Sequence, residues 1–220
     1  MRSCCAAAAY MRDITPCNPR QELAVCMPPS NEDDRLLTPA SWSHGVLPDN
    51  VRAGSGTAIS GEVAFKRFRS RRNPALVLGA SCTMDGVQFA VGEDGIIEIG
   101  DFCYFTNAVL LCELALHVGN YVVIGWNTTI ADTDFHPIAP ALRIADAMAC
   151  SPLGIDRPRP AIEKRPVVIE DDVWIGPNAT ILKGVRIGAG SFIEPGALVT
   201  RDVRARSRVG GNPARIIDSV

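Results

Sequence analysis

No stretch of this 220-residue chain is apolar for the ~18–20 residues that a membrane helix needs. An excess of charge of one sign is missing too. With 22 basic and 24 acidic residues the net charge is -2, which makes no general case for binding nucleic acid. The eight cysteines show no paired spacing, so a disulfide framework is not indicated in a chain of this length. Cys82 and Cys103 sit inside apolar runs, where cysteine behaves as a small hydrophobe, and a reducing cytoplasmic setting fits. The first ten residues, Met1 to Tyr10, carry only a short apolar core that Arg12 and Asp13 close, so they read as a frayed terminus rather than a signal peptide. What is plentiful is turn-forming residues, with 19 glycines and 16 prolines. The length suits one sizeable domain, with or without an arm.

An internal repeat organises the rest. From Ile169 a branched aliphatic returns every sixth residue, through Ile175, Ile181, Ile187 and Ile193 to Val199. Four residues after each stands a small or β-branched residue: Val173, Ala179, Val185, Ser191, Ala197 and Val203. Upstream the grid returns as Ile99, Phe105, Leu111 and then Val118, Ile124, Ile130, with His117 as a one-residue insertion. Weaker traces lie at Leu47, Ala53 and Ile59, and Leu78 and Met84 begin a ragged turn. A six-residue period is neither helical nor a plain strand alternation. It suits a short strand plus a corner, with the aliphatic pointing into a narrow core. Three such sides close one coil of a triangular prism, and coils stack at the inter-strand spacing of ~4.8 Å. The period does not fix the hand of the coil.

The predicted organisation is an irregular N-terminal arm over residues 1–46, a parallel β-helix over 47–204 and a tail over 205–220. In the arm, residues 20–27 could form a short helix before the break at Pro28-Pro29. Two excursions leave the prism. Residues 65–76 form a basic one, with Lys66, Arg67, Arg69, Arg71 and Arg72, and residues 137–168 form a long one that Pro137, Pro140, Pro152, Pro158 and Pro160 mark as loop. The basic excursion reads as a solvated loop, or as a contact for an anionic acceptor or an acyl carrier protein. No nucleic-acid module surrounds it.

His136 is the most informative polar residue. The grid after Ile130 places the next aliphatic at 136, and the long loop departs directly after it. An imidazole where rigid coil meets loop is placed to act as a general base, or to serve as a structural residue at the loop start. Asp134 falls on a small-residue slot. It either orients His136, with which it shares a face of extended chain, or caps a turn with Asp132.

Three ordered motifs carry a resemblance. They are Ile130-Ala131-Asp132-Thr133-Asp134-Phe135-His136-Pro137, then Val173-Trp174-Ile175-Gly176, then Gly210-Gly211-Asn212-Pro213-Ala214-Arg215. Over roughly residues 99–217 the chain resembles the maltose/galactoside and xenobiotic O-acetyltransferase family. The resemblance implies a left-handed parallel β-helix, a homotrimer with active sites between subunits, and acetyl-CoA or another acyl-CoA as co-substrate. It implies His136 as catalytic base and Trp174 at the thioester end of the CoA channel. Backbone amides near Gly176 and Gly196 would receive the pantetheine arm, and Arg201 and Arg215 the phosphates. Asn107 and Glu113 would lie on the side of a sugar or nucleotide-sugar acceptor; Asp134 is a further candidate there from its place beside His136, not from the resemblance. Glu194-Pro195-Gly196 departs from the family's usual Gly-Ala-Gly, and proline removes one amide donor.

Other functions share this fold. An N-acetyltransferase would use the same base on an amino acceptor. A metal hydratase like the γ-class carbonic anhydrases would need three histidines, and the chain has only His44, His117 and His136; no metal is expected. A non-catalytic repeat scaffold would bind no CoA.

Overall fold

Most coils among the described residues lay down three short strands, and most of their corners hold a residue in the left-handed backbone region. The computed structural model describes residues 40–154 and 157–220, so the short helix expected at 20–27 lies outside the described residues. A first strand, β1 (Ser41–Trp42), precedes an opening coil of β2 (Val51–Ala53) and β3 (Ala58–Ile59). Three-strand coils follow: β4 (Leu76–Leu78), β5 (Thr83–Asp85) and β6 (Gln88–Val91); β7 (Ile96–Ile99), β8 (Tyr104–Thr106) and β9 (Val109–Cys112); β10 (Ala115–Val118), β11 (Val123–Ile124) and β12 (Thr129–Ala131). After the long loop come β13 (Val167–Ile169), β14 (Trp174–Ile175) and β15 (Thr180–Ile181), then β16 (Arg186–Ile187), β17 (Phe192–Ile193) and β18 (Leu198–Val199). The end is a hairpin-like pair, β19 (Ser207–Gly210) and β20 (Arg215–Ser219).

Equivalent strands of successive coils pair in parallel, giving a prism of nine-, six- and five-stranded sheets that makes a β-solenoid of about seven turns. Register follows the repeat. Ile169 pairs with Ile187, Ile175 with Ile193 and Ile181 with Val199. All of these are at most 2% exposed, as are Met84, Phe105, Ile124 and Ile130. Each contributes roughly 1.5–3 kcal/mol by leaving water. The small-residue positions Val173, Ala179, Val185, Ser191, Ala197 and Val203 are all buried. Cys82 and Cys103 stack in the same core, their thiols donating to the carbonyls of Gly100 and Gly119. Residues with positive φ make most of the corners, and one column runs Asn107 (46°), Asn127 (59°), Asn178 (59°). Asparagine tolerates this region better than other residues with a Cβ.

The structure corrects the grid in three places. Leu111 does not point inward; Leu110 and Cys112 do, and Leu110 pairs with Ile130. The spacing from Phe105 to the next core residues shortens at the Asn107 corner and lengthens again at 113–114, so the break in step is spread over β9 rather than located at His117. His117 faces outward, with Nδ1 2.8 Å from Glu98. Second, the 65–76 segment does not leave the prism entirely. Its backbone bonds to β6 and just beyond, with Arg69 N–H to the Val91 carbonyl at 2.8 Å and Arg71 N–H to that of Glu93 at 2.9 Å. Phe65 anchors it, stacked on buried Phe89 at 5.7 Å and edge-on to Trp42 at 5.0 Å. Third, the long loop contains a ten-residue helix, α1 (Pro140–Ala149). Pro140 opens it, a position where proline's missing N–H costs nothing; the proline read as a loop marker is a helix start. Among the described residues no helix is long and apolar enough to cross a membrane.

Candidate active site

The long loop rises from a fixed neck. Asp132, fully buried at the end of β12, accepts the backbone N–H groups of Glu113, Leu114 and Ala115 at 2.7–2.8 Å from the coil below. Burial pushes its carboxyl above the ordinary range, against the pull of those three donors. The returning strand closes on the same residue, with Arg165 N–H to the Asp132 carbonyl at 2.8 Å and Asp134 N–H to that of Glu163 at 3.2 Å. Lys183, just past β15, reaches Asp134 at 3.1 Å and Glu163 at 3.3 Å.

The chain therefore quits the prism at Asp132, and position 136 is not a core slot. His136 stands on a tight turn outside it. Phe135 has φ 66°, and the His136 N–H donates to the Asp134 carbonyl two residues back at 2.7 Å. Such a turn is rare and strained for a residue with a Cβ. The surroundings hold it. Asp146 on α1 lies 2.5 Å from His136 Nδ1, and Arg159 donates Nε to the Asp146 carboxylate at 2.7 Å and Nη2 to it at 3.1 Å. The same Nη2 donates to the Phe135 carbonyl at 3.0 Å. Asp146 is wholly buried and the only buried residue of its helix. Arg159 first, and His136 second, hold its carboxyl down at about 2. An ionised Asp146 can only accept, so it takes Nδ1–H and leaves Nε2 with its lone pair.

The imidazole is 60% exposed and lines a pocket of about 480 Å³. The outer face of the five-stranded sheet supplies its floor, through Ala90 and Leu111, and the loop supplies its wall, through Phe135, Arg159 and Ile162. Glu113 borders it, paired with Lys164 at 3.3 Å. His136 and Glu113 are thus brought together. Asn107 does not line this pocket; it is a left-handed corner residue. Asp134 faces Lys183 in a neighbouring cleft with Thr200, and its carboxylate is not the group that orients His136. Trp174 stands on another side of the prism, the nine-stranded sheet, 51% exposed and stacked on Phe192 at 4.4 Å. The N–H groups of Gly176 and Gly196 themselves donate to the Ile193 and Pro177 carbonyls at 2.8 and 2.9 Å. Arg201 and Arg215 share a small cleft of about 160 Å³ near the C-terminal end. Sequence reasoning missed Asp146, Arg159 and Lys164, all inside the segment read as plain loop.

The three histidines do not converge within the chain. His44 lies beside Trp42, His117 on the six-stranded sheet and His136 over the five-stranded sheet. Among the described residues no three His, Cys, Asp or Glu side chains gather as a ligand set.

Comparison with known proteins agrees with this architecture. The bacterial transferase hexapeptide pattern of six repeats matches residues 166–201. The hexapeptide-repeat-containing acetyltransferase of Vibrio cholerae is 34% identical, the alignment covering 64% of this chain and 72% of that one, with a TM-score of 0.50. An N-acyltransferase of Bacillus cereus, solved as a mutant with dTDP and coenzyme A, is 16% identical over 76% of this chain and 83% of that one, with a TM-score of 0.56, and shares the fold. A Staphylococcus aureus 2,3,4,5-tetrahydropyridine-2,6-dicarboxylate N-acetyltransferase is 58% identical over 52 residues, 24% of this chain. The chain spans 22% of the length of that relative.

Proposed function

We propose that this chain, which belongs to the hexapeptide-repeat acetyltransferases, moves an acetyl group from acetyl-CoA to a hydroxyl of a small acceptor, such as a sugar, bound in the pocket beneath the loop. The observation that carries the reading is the His136–Asp146 pair: Nδ1 is tied to a buried carboxylate and the ring is exposed to the pocket. Nε2 takes the proton from the acceptor hydroxyl as its oxygen attacks the thioester carbonyl. The tetrahedral oxyanion collapses, the carbon–sulfur bond breaks, and the CoA sulfur leaves with the proton that His136 held. General-base assistance of this kind supplies about 10²–10⁴ in rate. The buried carboxylate stabilises the imidazolium formed in between.

The donor side is assigned to Trp174, whose exposed face would cover the pantetheine end, and to the Arg201–Arg215 cleft, whose two cations suit phosphates. Trp174 and His136 sit on different sides of the prism. The donor therefore meets the base in a cleft between adjacent copies, in keeping with a homotrimer. The exposed column Tyr104, Val123 and Trp174 along the nine-stranded sheet supports such a contact. The N-acetyl transfer named for the Staphylococcus aureus relative keeps an amino acceptor as a second reading, with the same base. The test is acetyl-CoA consumption over a panel of sugars, nucleotide sugars and amino alcohols. His136→Ala should retain fold and CoA affinity and lose about 10²–10⁴ in turnover. Unchanged turnover in that variant defeats the reading.

A further inference from the structure

A second cavity, of about 310 Å³, adjoins the pocket of His136 and shares Glu113, Arg159 and Lys164 with it. Its far wall is Arg69 with Gly92, Glu93 and Asp94. Gly92 lets the two compartments meet at Glu113, because a Cβ there would lie 2.4 Å from a Glu113 carboxylate oxygen.

The charges in this double cavity are matched, with one exception. Lys164 pairs with Glu113, and Arg159 with Asp146. Glu93 and Asp94 are taken from outside by Arg71 and Arg72, at 3.4 and 3.5 Å. Arg69 alone among the cations lining the second cavity has no carboxylate within 4.0 Å among the described residues. Its backbone is nonetheless fixed. Its own N–H bonds to Val91, the neighbouring Ser70 is buried with its hydroxyl on the Gly95 carbonyl at 2.8 Å, and Asn50 donates to the Ser70 carbonyl at 2.8 Å. Arg69 is exposed, and no hydrogen bond or ion pair among the described residues holds its guanidinium, so its donors stay open to an anion in this concave wall.

We infer that the acceptor carries an anionic group, a carboxylate or a phosphate, which Arg69 binds in the second cavity while the reacting hydroxyl reaches His136 in the first. This deepens the proposed acetyl transfer and rests on it for the identity of the reacting end. Glu93 and Asp94 line the same cavity, each paired with an arginine outside it, and Lys164 stands beside Arg69 as a second cation of the lining.

The test has a binding arm and a transfer arm. Inorganic phosphate is titrated calorimetrically into wild type, Arg69→Ala, Arg69→Lys and Arg67→Ala, the last being a charge-matched control whose side chain lines neither cavity. Binding should weaken about tenfold or more in Arg69→Ala, recover in part in Arg69→Lys and hold in Arg67→Ala. In the transfer arm, galactose, galacturonate and galactose 6-phosphate compete as acceptors. The charged sugars should exceed galactose in kcat/KM by roughly tenfold, and that ratio should collapse in Arg69→Ala. Whichever charged sugar responds identifies the anion as carboxylate or phosphate. Phosphate binding equal in the Arg69→Ala and Arg67→Ala variants refutes the subsite, and acetyl transfer to neutral acceptors would stand without it. Arg69-dependent phosphate binding with no acetyl transfer to any acceptor supports the subsite and defeats the transfer reading instead.

Discussion

Replacing Asp146 by asparagine isolates its effect on His136 with almost no change of shape. Three donors converge on the Asp146 carboxylate: His136 Nδ1 at 2.5 Å from Oδ2, Arg159 Nε at 2.7 Å from Oδ1 and Arg159 Nη2 at 3.1 Å from Oδ2. A carboxylate answers all three, but an amide offers one oxygen. If that oxygen faces Arg159 Nε, the amide NH2 faces Nδ1, which must then accept. The imidazole proton moves to Nε2, and the base loses its lone pair toward the pocket. If the amide flips, Arg159 faces a donor and the Phe135 turn loosens. Either way a charge-assisted hydrogen bond worth about 1.5–3 kcal/mol is lost, which lowers the productive population by roughly 10- to 150-fold. Thiol release from acetyl-CoA should show kcat falling by that factor. The KM for acetyl-CoA should shift by less than about twofold, since the donor groups lie on another side of the prism. Nitrogen chemical shifts of the ring would report the tautomer directly. A kcat within about twofold of wild type, in a protein that His136→Ala inactivates, would refute the orienting role of Asp146.

Three further outcomes are expected. Asp132→Ala removes the common acceptor of three backbone donors at the loop neck, and should cost at least about 3 kcal/mol in a denaturant titration; a loss under about 1 kcal/mol would show the neck rests on other contacts. Asp146 titrates at about 2 when folded against 3.8 unperturbed, so its hold on α1 is complete above 3.8 and fades as the pH falls through about 2. Amide exchange of α1 should accelerate across that window, and protection independent of pH there would contradict the tether. Arg201→Ala should raise the KM for acetyl-CoA more than for its dephospho derivative, and equal effects would argue against a phosphate contact.

The prism was legible because its physics is local and repeated. One aliphatic per side must point inward, and Ile169 to Val199 obey that without exception. The reading slipped where side lengths vary. Leu111 occupies a six-residue step, yet the Asn107 corner tightens by one residue and turns Leu110 inward instead. The reasoning that singled out His136 was partly mistaken. Its junction with the loop is real, but the chain leaves the core at Asp132 and the imidazole never takes a core slot. The partners of His136 left no periodic trace. Asp146 lies ten residues on, and Arg159 thirteen beyond that, joined only by the path of the loop.

What could have pointed to them is the inversion of α1. Its Leu142, Ile144 and Met148 are exposed, and its single buried residue is a carboxylate. Such a helix buries its apolar side chains only in part, so hydrophobic burial alone does not explain where it sits. It is held instead at Asp146, by an arginine that also fixes the carbonyl beside the imidazole. A helix tethered to its own protomer through one ionised residue, against a histidine on a strained turn, is arranged to position that histidine.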